Sequence, residues 1–111
     1  MLQMNRGEVW WVEFDPSVGS EIRKTRPAVI ISNDSANRNL QRVVVVPLTS
    51  NTSKQYPGEA IITINGVQSK AMADQIMSAD KSRLKKKCSV TSKADLSLIE
   101  DAILLHLGLP R

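Results

Sequence analysis

The sequence predicts a mainly β domain (α+β): a curled, barrel-like antiparallel sheet with short helices and one C-terminal helix. Three observations predict it. Short runs rich in Val, Ile and Trp recur along the first half, as RGEVWWVEF, PAVII and VVVVPL. Asn65-Gly66 joins two further β-patterned runs, and this pair is the strongest short hairpin signal because both residues tolerate positive φ. Only the last segment, from Ser92 on, repeats its apolar residues at helical spacing. A chain of 111 residues can bury one core and not two, so residues 1–111 read as a single domain.

Each element has a local cause. Residues 6–14 alternate in polarity and form a first strand, with Trp10 and Trp11 on opposite faces. Asp15-Pro16 stops it, and PSVGSEIRKT is a loop of turn formers and charge. Pro27 to Ile31 is continuously apolar, which suits a strand buried on both faces. The polar run Ser32 to Ser35 caps a short helical turn over Ala36 to Leu40. Val43 to Leu48 is another buried strand, with Pro47 expected at its end, where a missing N–H costs little. Thr49 to Gly58 is a polar loop. Glu59 to Ile64 and a return strand from Val67 to Ile76 flank the Asn-Gly turn, and Asp80 to Leu84 reads as one helical turn. Ser92 caps the final helix, with Asp95 three residues on in a capping-box-like position. Leu96, Ile99, Ile103 and Leu107, at spacings of three and four, lay one apolar stripe along it, and Gly108 and Pro110 end it.

Composition excludes several chemistries. Apolar residues at 41% place the chain in the globular class, and its longest apolar runs are far short of the ~20 residues of a bilayer span. MLQMNRGEVWW lacks the apolar core of a secretory signal, so the expected location is the cytoplasm. Cys88 is the single cysteine, which rules out an intrachain disulfide and a cysteine-based zinc site. His106 is the single histidine, which rules out an HExxH site and a two-histidine acid–base pair within one chain. Catalytic groups, if there are any, come from Arg, Lys, Glu, Asp, Ser, Thr or Tyr. The net charge of +4 is clustered: Arg23, Lys24 and Arg26 in one place, Lys81, Arg83 and Lys85 to Lys87 in another. Such clusters attract polyanions, although a bare charge run is more often a solvated face.

Four blocks, in order, resemble the MazF/PemK toxins of bacterial toxin–antitoxin systems. They are RGEVWWVEFDP at 6–16, GSEIRKTRPAVIISND at 19–34, VVVVPLTS at 43–50 and KAMADQIMSADKSRL at 70–84. Together they carry the resemblance from Arg6 to about Leu107. It implies a curled sheet of SH3-barrel character with a C-terminal helix, similar also to the CcdB-like toxins. It implies a metal-free endoribonuclease with no cofactor. Such an enzyme cuts single-stranded RNA at a short sequence by 2′-hydroxyl attack, leaves a 2′,3′-cyclic phosphate and a 5′-hydroxyl, and so inhibits translation. It also implies a homodimer silenced by an acidic, partly disordered antitoxin that covers the RNA groove.

The residues in these blocks suit that chemistry. Arg26, just before the Pro27 strand, offers a two-pronged contact to phosphate oxygens and stays charged, so stabilising the transition state is its role. An isolated loop arginine more often pairs with a carboxylate; within TRPAVIISN the phosphate role is favoured. Thr49, after a buried strand, presents a hydroxyl from a rigid position, and Ser50 adds a second; on composition alone the pair would be ordinary turn formers. Glu21 is the candidate general base, although a guanidinium nearby weakens a carboxylate as a base unless burial offsets the effect. Ile22 stands where the family commonly has glutamine, which bears on base preference and leaves Glu21 and Arg26 untouched. By the same resemblance Ser20, Lys24, Asn33, Ser50, Gln75 and Ser78 bind RNA, and Lys81 and Arg83 extend the groove or brace the dimer. Trp10 and Trp11 have faces on which bases can stack, but their place in an apolar strand favours core and interface packing. His106 reads as a helix-surface or helix-packing residue and Cys88 as a small packing residue. The competing reading is a non-catalytic toxin on the same fold, binding RNA without cutting it or inhibiting gyrase as CcdB-like proteins do.

Overall fold

The computed structural model describes residues 3–110. Seven strands form one curled antiparallel sheet: β1 (Glu8–Glu13), β2 (Thr25–Ile30), β3 (Arg42–Thr49), β4 (Glu59–Ile64), β5 (Val67–Met72), β6 (Met77–Asp80) and β7 (Leu84–Val90). The strand order is β4-β5-β3-β2-β1-β7, and β6 pairs with β3 beside β5. Two helices complete the fold, α1 (Asp34–Asn39) and α2 (Lys93–Leu107).

The alternation of the central strands divides the core in two. Trp10, Val12, Ala28, Ile30, Val43 and Val45 point into the curl, where Met4, Phe14, Ala79 and Leu84 join them. Val9, Val29, Val46 and Leu48 point the other way and are covered by Ile99 and Ala102 of α2. A strand with helix on one side and curl on the other is apolar at every position, which is why PAVII and VVVV show no polar alternation.

The Asn65-Gly66 hairpin forms as expected, with φ of 50° and 80°, and Asn65 fastens its tip to the sheet by accepting from the Ser89 hydroxyl at 3.0 Å. Asn33 caps α1, Ser92 caps α2, and Gly108 ends α2 in the left-handed region at φ 70°. His106 is exposed on α2 and lies over Gly58, where a Cβ would meet the His106 Cβ at 3.3 Å. Cys88 packs half-buried against the α2 side of the core.

Four expectations need correction. The return strand does not run through to Ile76: a tight turn at Ala73–Gln75 separates β5 from β6. Leu48 opposes Ala71 and Val45 opposes Met77, so a six-residue step from Ala71 to Met77 matches a three-residue step on β3, and the turn absorbs the excess. Pro47 does not end its strand, because β3 continues to Thr49. Ile31 donates to the Val44 carbonyl, so alternation turns the Pro47 nitrogen to the other edge, into the gap between β6 and β5, where no ladder bond is missed. Leu107 is 51% exposed, and Ala102 takes its place in the buried stripe. Finally, residues 84–90 form β7, which the lysine run conceals. Lysines suit this edge strand, since they discourage further strand pairing, and two of them pair with β1: Lys85 with Glu13 at 3.7 Å and Lys87 with Glu8 at 3.1 Å.

Glu8 is buried, and burial alone would raise its pKa. Hydrogen bonds from the Asn5 backbone, the Trp10 indole and the Asn5 side chain, together with Lys87, outweigh that and hold it below its ordinary value. A carboxylate with a depressed folded pKa stabilises the fold above its unfolded pKa, about 4.3, and loses that contribution as pH falls through the folded value. Glu8→Gln should therefore be less stable than the parent at pH 7, with the difference shrinking below about pH 4.3. Urea midpoints of both proteins from pH 7 to pH 3 check this, and a difference independent of pH would refute it.

Candidate active site

Register brings the two separated motifs together. Ala28 on β2 opposes Pro47 on β3. Two residues back along β2 is Arg26, and two forward along β3 is Thr49. Both line one cavity of about 360 Å³, with Trp11, Lys24, Ser50 and Ser69 also in its wall. No carboxylate lines it. Arg26 is half-buried, its Nε donates to the Arg23 carbonyl at 3.0 Å, and among the described residues no acid pairs with it. Both terminal guanidinium nitrogens are thus available for a phosphate. The Thr49 hydroxyl accepts from the Asn51 N–H at 3.3 Å, and its own proton is left to donate. The cavity therefore combines fixed positive charge with hydroxyl donors, a set that suits a phosphodiester.

Lys24, just before β2, has a left-handed backbone at φ 65°, and its carbonyl accepts from Phe14 N at 2.8 Å. A non-glycine residue there costs about 1–2 kcal/mol. Lys24→Gly should leave stability unchanged or raise it by up to about 1 kcal/mol, after the entropy that glycine brings. If Lys24 also meets RNA, the same change should lower the log–log salt slope of RNA affinity by about 0.7. Urea unfolding and a salt titration of binding test the two statements separately. Clear destabilisation would refute the first, and an unchanged slope the second.

The other expected residues stand elsewhere. Glu21 and Ser20 line a second cavity of about 430 Å³ with Gln75 and Arg83. The Glu21 carboxylate accepts from Val18 N at 2.7 Å, so in this conformation it serves its own loop and does not face Arg26's cavity. Gln75 accepts from Ile22 N at 2.7 Å, which pins the loop to the turn before β6. Arg83 donates to the Glu13 and Asp15 carbonyls at 2.9 and 2.8 Å and holds the loop's other end. Lys81 donates to the Asn37 carbonyl at 2.5 Å, tying α1 to the sheet. Asn33 spends its side-chain oxygen on Ala36 N as the helix cap. Ser78 is exposed on β6 opposite Val44.

Two further residues stand near the cavity: Lys70, which the sequence did not single out, and Trp11, for which it favoured core and interface packing over base stacking. Lys70 on β5 opposes Thr49, is buried, and reaches Glu59 at 3.4 Å and the Lys54 carbonyl at 2.9 Å. It holds the loop that follows Thr49. A lysine in a strand carries no signal of burial, so nothing in the sequence marks it. Trp11 had a signal, since alternation sets it opposite the buried Trp10.

The model of the PemK-like, MazF-like toxins of type II toxin–antitoxin systems matches residues 5–107. The chain belongs to that family. Endoribonuclease MazF9 of Mycobacterium tuberculosis is 43% identical over 115 residues, covering 96% of this chain and 98% of the relative. The crystal structure of MazF from Deinococcus radiodurans superposes with a TM-score of 0.88 at 26% identity, covering 98% of this chain and all of that one (100%). A mycobacterial endoribonuclease in complex with its cognate antitoxin superposes at 0.81, with 26% identity and 97% and 98% coverage. These MazF-like neighbours share the curled sheet and C-terminal helix. Among the described residues no helix is long and apolar enough to cross a membrane.

Proposed function

We propose that this MazF-like chain is a toxin that cuts single-stranded RNA at a short sequence without a metal. The observation that carries this is the acid-free cavity in which Arg26 and Thr49 converge. The name of the relative that matches nearly the whole chain, an endoribonuclease at 43% identity, supports it. In the reaction the 2′-oxygen of one nucleotide attacks the adjacent phosphorus and the bond to the 5′-oxygen breaks. The products are a 2′,3′-cyclic phosphate and, once the departing 5′-oxygen has taken a proton from solvent water, a 5′-hydroxyl. Arg26 neutralises the charge that builds on the phosphoryl oxygens, and Thr49 donates to one of them. Glu21 takes the 2′-hydroxyl proton after the β1–β2 loop turns its carboxylate away from Val18 N. Lys24 and Ser50 hold the flanking backbone.

The active form is a two-fold homodimer, the commonest closed assembly, and it works in the cytoplasm. The silencing partner is an acidic segment, disordered when free, that competes with RNA for the cations. The antitoxin complex of the mycobacterial neighbour supports that assignment. The deciding experiment is incubation with a long single-stranded RNA in EDTA, with the ends of the products sequenced. Discrete cuts bearing cyclic phosphates are the expected result, and intact RNA overturns the reading.

A further inference from the structure

Trp11 lies in mid-strand, between Trp10 and Val12, both buried, yet it is 40% exposed. It is left half-open although strands pair with it on both sides, and the β1–β7 register shifts next to it, between Trp11 and Val12. On β2 it opposes Pro27, and on β7 it opposes Lys86. Its ring forms part of the wall of the cavity that holds Arg26 and Thr49. The lysines on either side of Lys86 are engaged with Glu13 and Glu8, while among the described residues Lys86 has no acidic partner. One open aromatic face thus stands between the phosphate-binding arginine and a free cation. Aromatic faces and cations alternating along a groove are the elements of a single-strand binding track. The indole offers any base a π-face, and the lysine and arginine take the phosphates on either side.

We propose that Trp11 is the stacking platform for one base next to the phosphate held by Arg26, with Lys86 contacting the backbone beyond it. The proposal rests on the RNA reading above and extends it to a base subsite. It also explains why Trp11 is left open when the apolar residues beside it on β1, Val9, Trp10 and Val12, are buried: the covering group is the substrate.

The test uses RNA binding by the full-length Thr49→Ala protein, so that binding is read without cleavage. Into it are placed Trp11→Leu, which keeps apolar bulk but removes the aromatic face, and Trp11→Phe, which keeps a smaller one. Stacking on one base corresponds to about a 5- to 150-fold change in affinity. Trp11→Leu should weaken binding within that range, and Trp11→Phe should recover most of it. A series of oligonucleotides, each with one abasic position, supplies the second readout. The Trp11→Leu penalty should vanish for one position only, as a double-mutant cycle requires of direct contact. Unchanged affinity in Trp11→Leu overturns the proposal, as does a penalty equal at all abasic positions. Light scattering is run alongside: a loss that follows dissociation of the protein into monomers would assign Trp11 to contact with a second copy and overturn it too. Failure of the wild type to cut RNA sinks the enzymatic reading alone, and failure of the Thr49→Ala parent to bind RNA sinks both.

Discussion

Arg26→Ala is expected to lower RNA cleavage by at least about 10²–10³-fold, the usual consequence of removing one preorganised group that stabilises transition-state charge. Stability should hardly change. The side chain sits at a strand end, half-buried, and makes one protein hydrogen bond, from Nε to the Arg23 carbonyl, so about 1 kcal/mol is at stake. Arg26→Lys should also be poor, because an ammonium cannot reproduce the two-pronged geometry of the guanidinium. Thr49→Ala belongs to the same experiment and should lose a donor while folding normally. Initial rates on a defined RNA, with urea midpoints measured in parallel, separate chemistry from folding. Near-normal cleavage by folded Arg26→Ala would remove the central claim.

Lys70→Met should cost about 3–5 kcal/mol of stability, because it strips the counter-charge from a buried carboxylate. The Lys70 and Glu59 side chains are only 10% and 8% exposed, and their charged atoms lie 3.4 Å apart. Glu59 also accepts from Tyr56 N at 2.7 Å, so the pair fastens the 50–58 loop at Lys54 and Tyr56. Replacing both partners, as Lys70→Met with Glu59→Leu, should recover much of the loss, since no buried charge is then left unpaired. Cleavage should stay low even in the recovered double variant, because the loop behind Thr49 has lost its tether at the Lys54 carbonyl. Denaturation curves of the three proteins decide this. A single variant within about 1 kcal/mol of wild type would show that Glu59 finds solvent or another partner when Lys70 is gone.

The strands, the hairpin, the capped helices and the family were legible because each rests on neighbours in sequence. Val and Ile runs, an Asn-Gly pair with positive φ at both residues, and Ser92 capping Asp95 N are short-range causes. Where the sequence misled, long-range pairing had overridden local pattern. Lys85 to Lys87 look like a solvated run, but β1 needs an edge partner, and Glu8 and Glu13 supply the counter-charges. The Val67–Ile76 run looks continuous, but β3 changes partners from β5 to β6 and the Ala73–Gln75 turn takes up the slack. The motifs singled out Arg26 and Thr49 as candidates, and the β2–β3 register is what joins them in one cavity. Tertiary structure alone decided that Trp11 enters that cavity, that Lys70 is buried behind it, and that Glu21 faces another. The physical reason is distance along the chain. Residue type and local spacing set what a segment can be, whereas the company a side chain keeps depends on strands paired across tens of residues, and no local pattern encodes that.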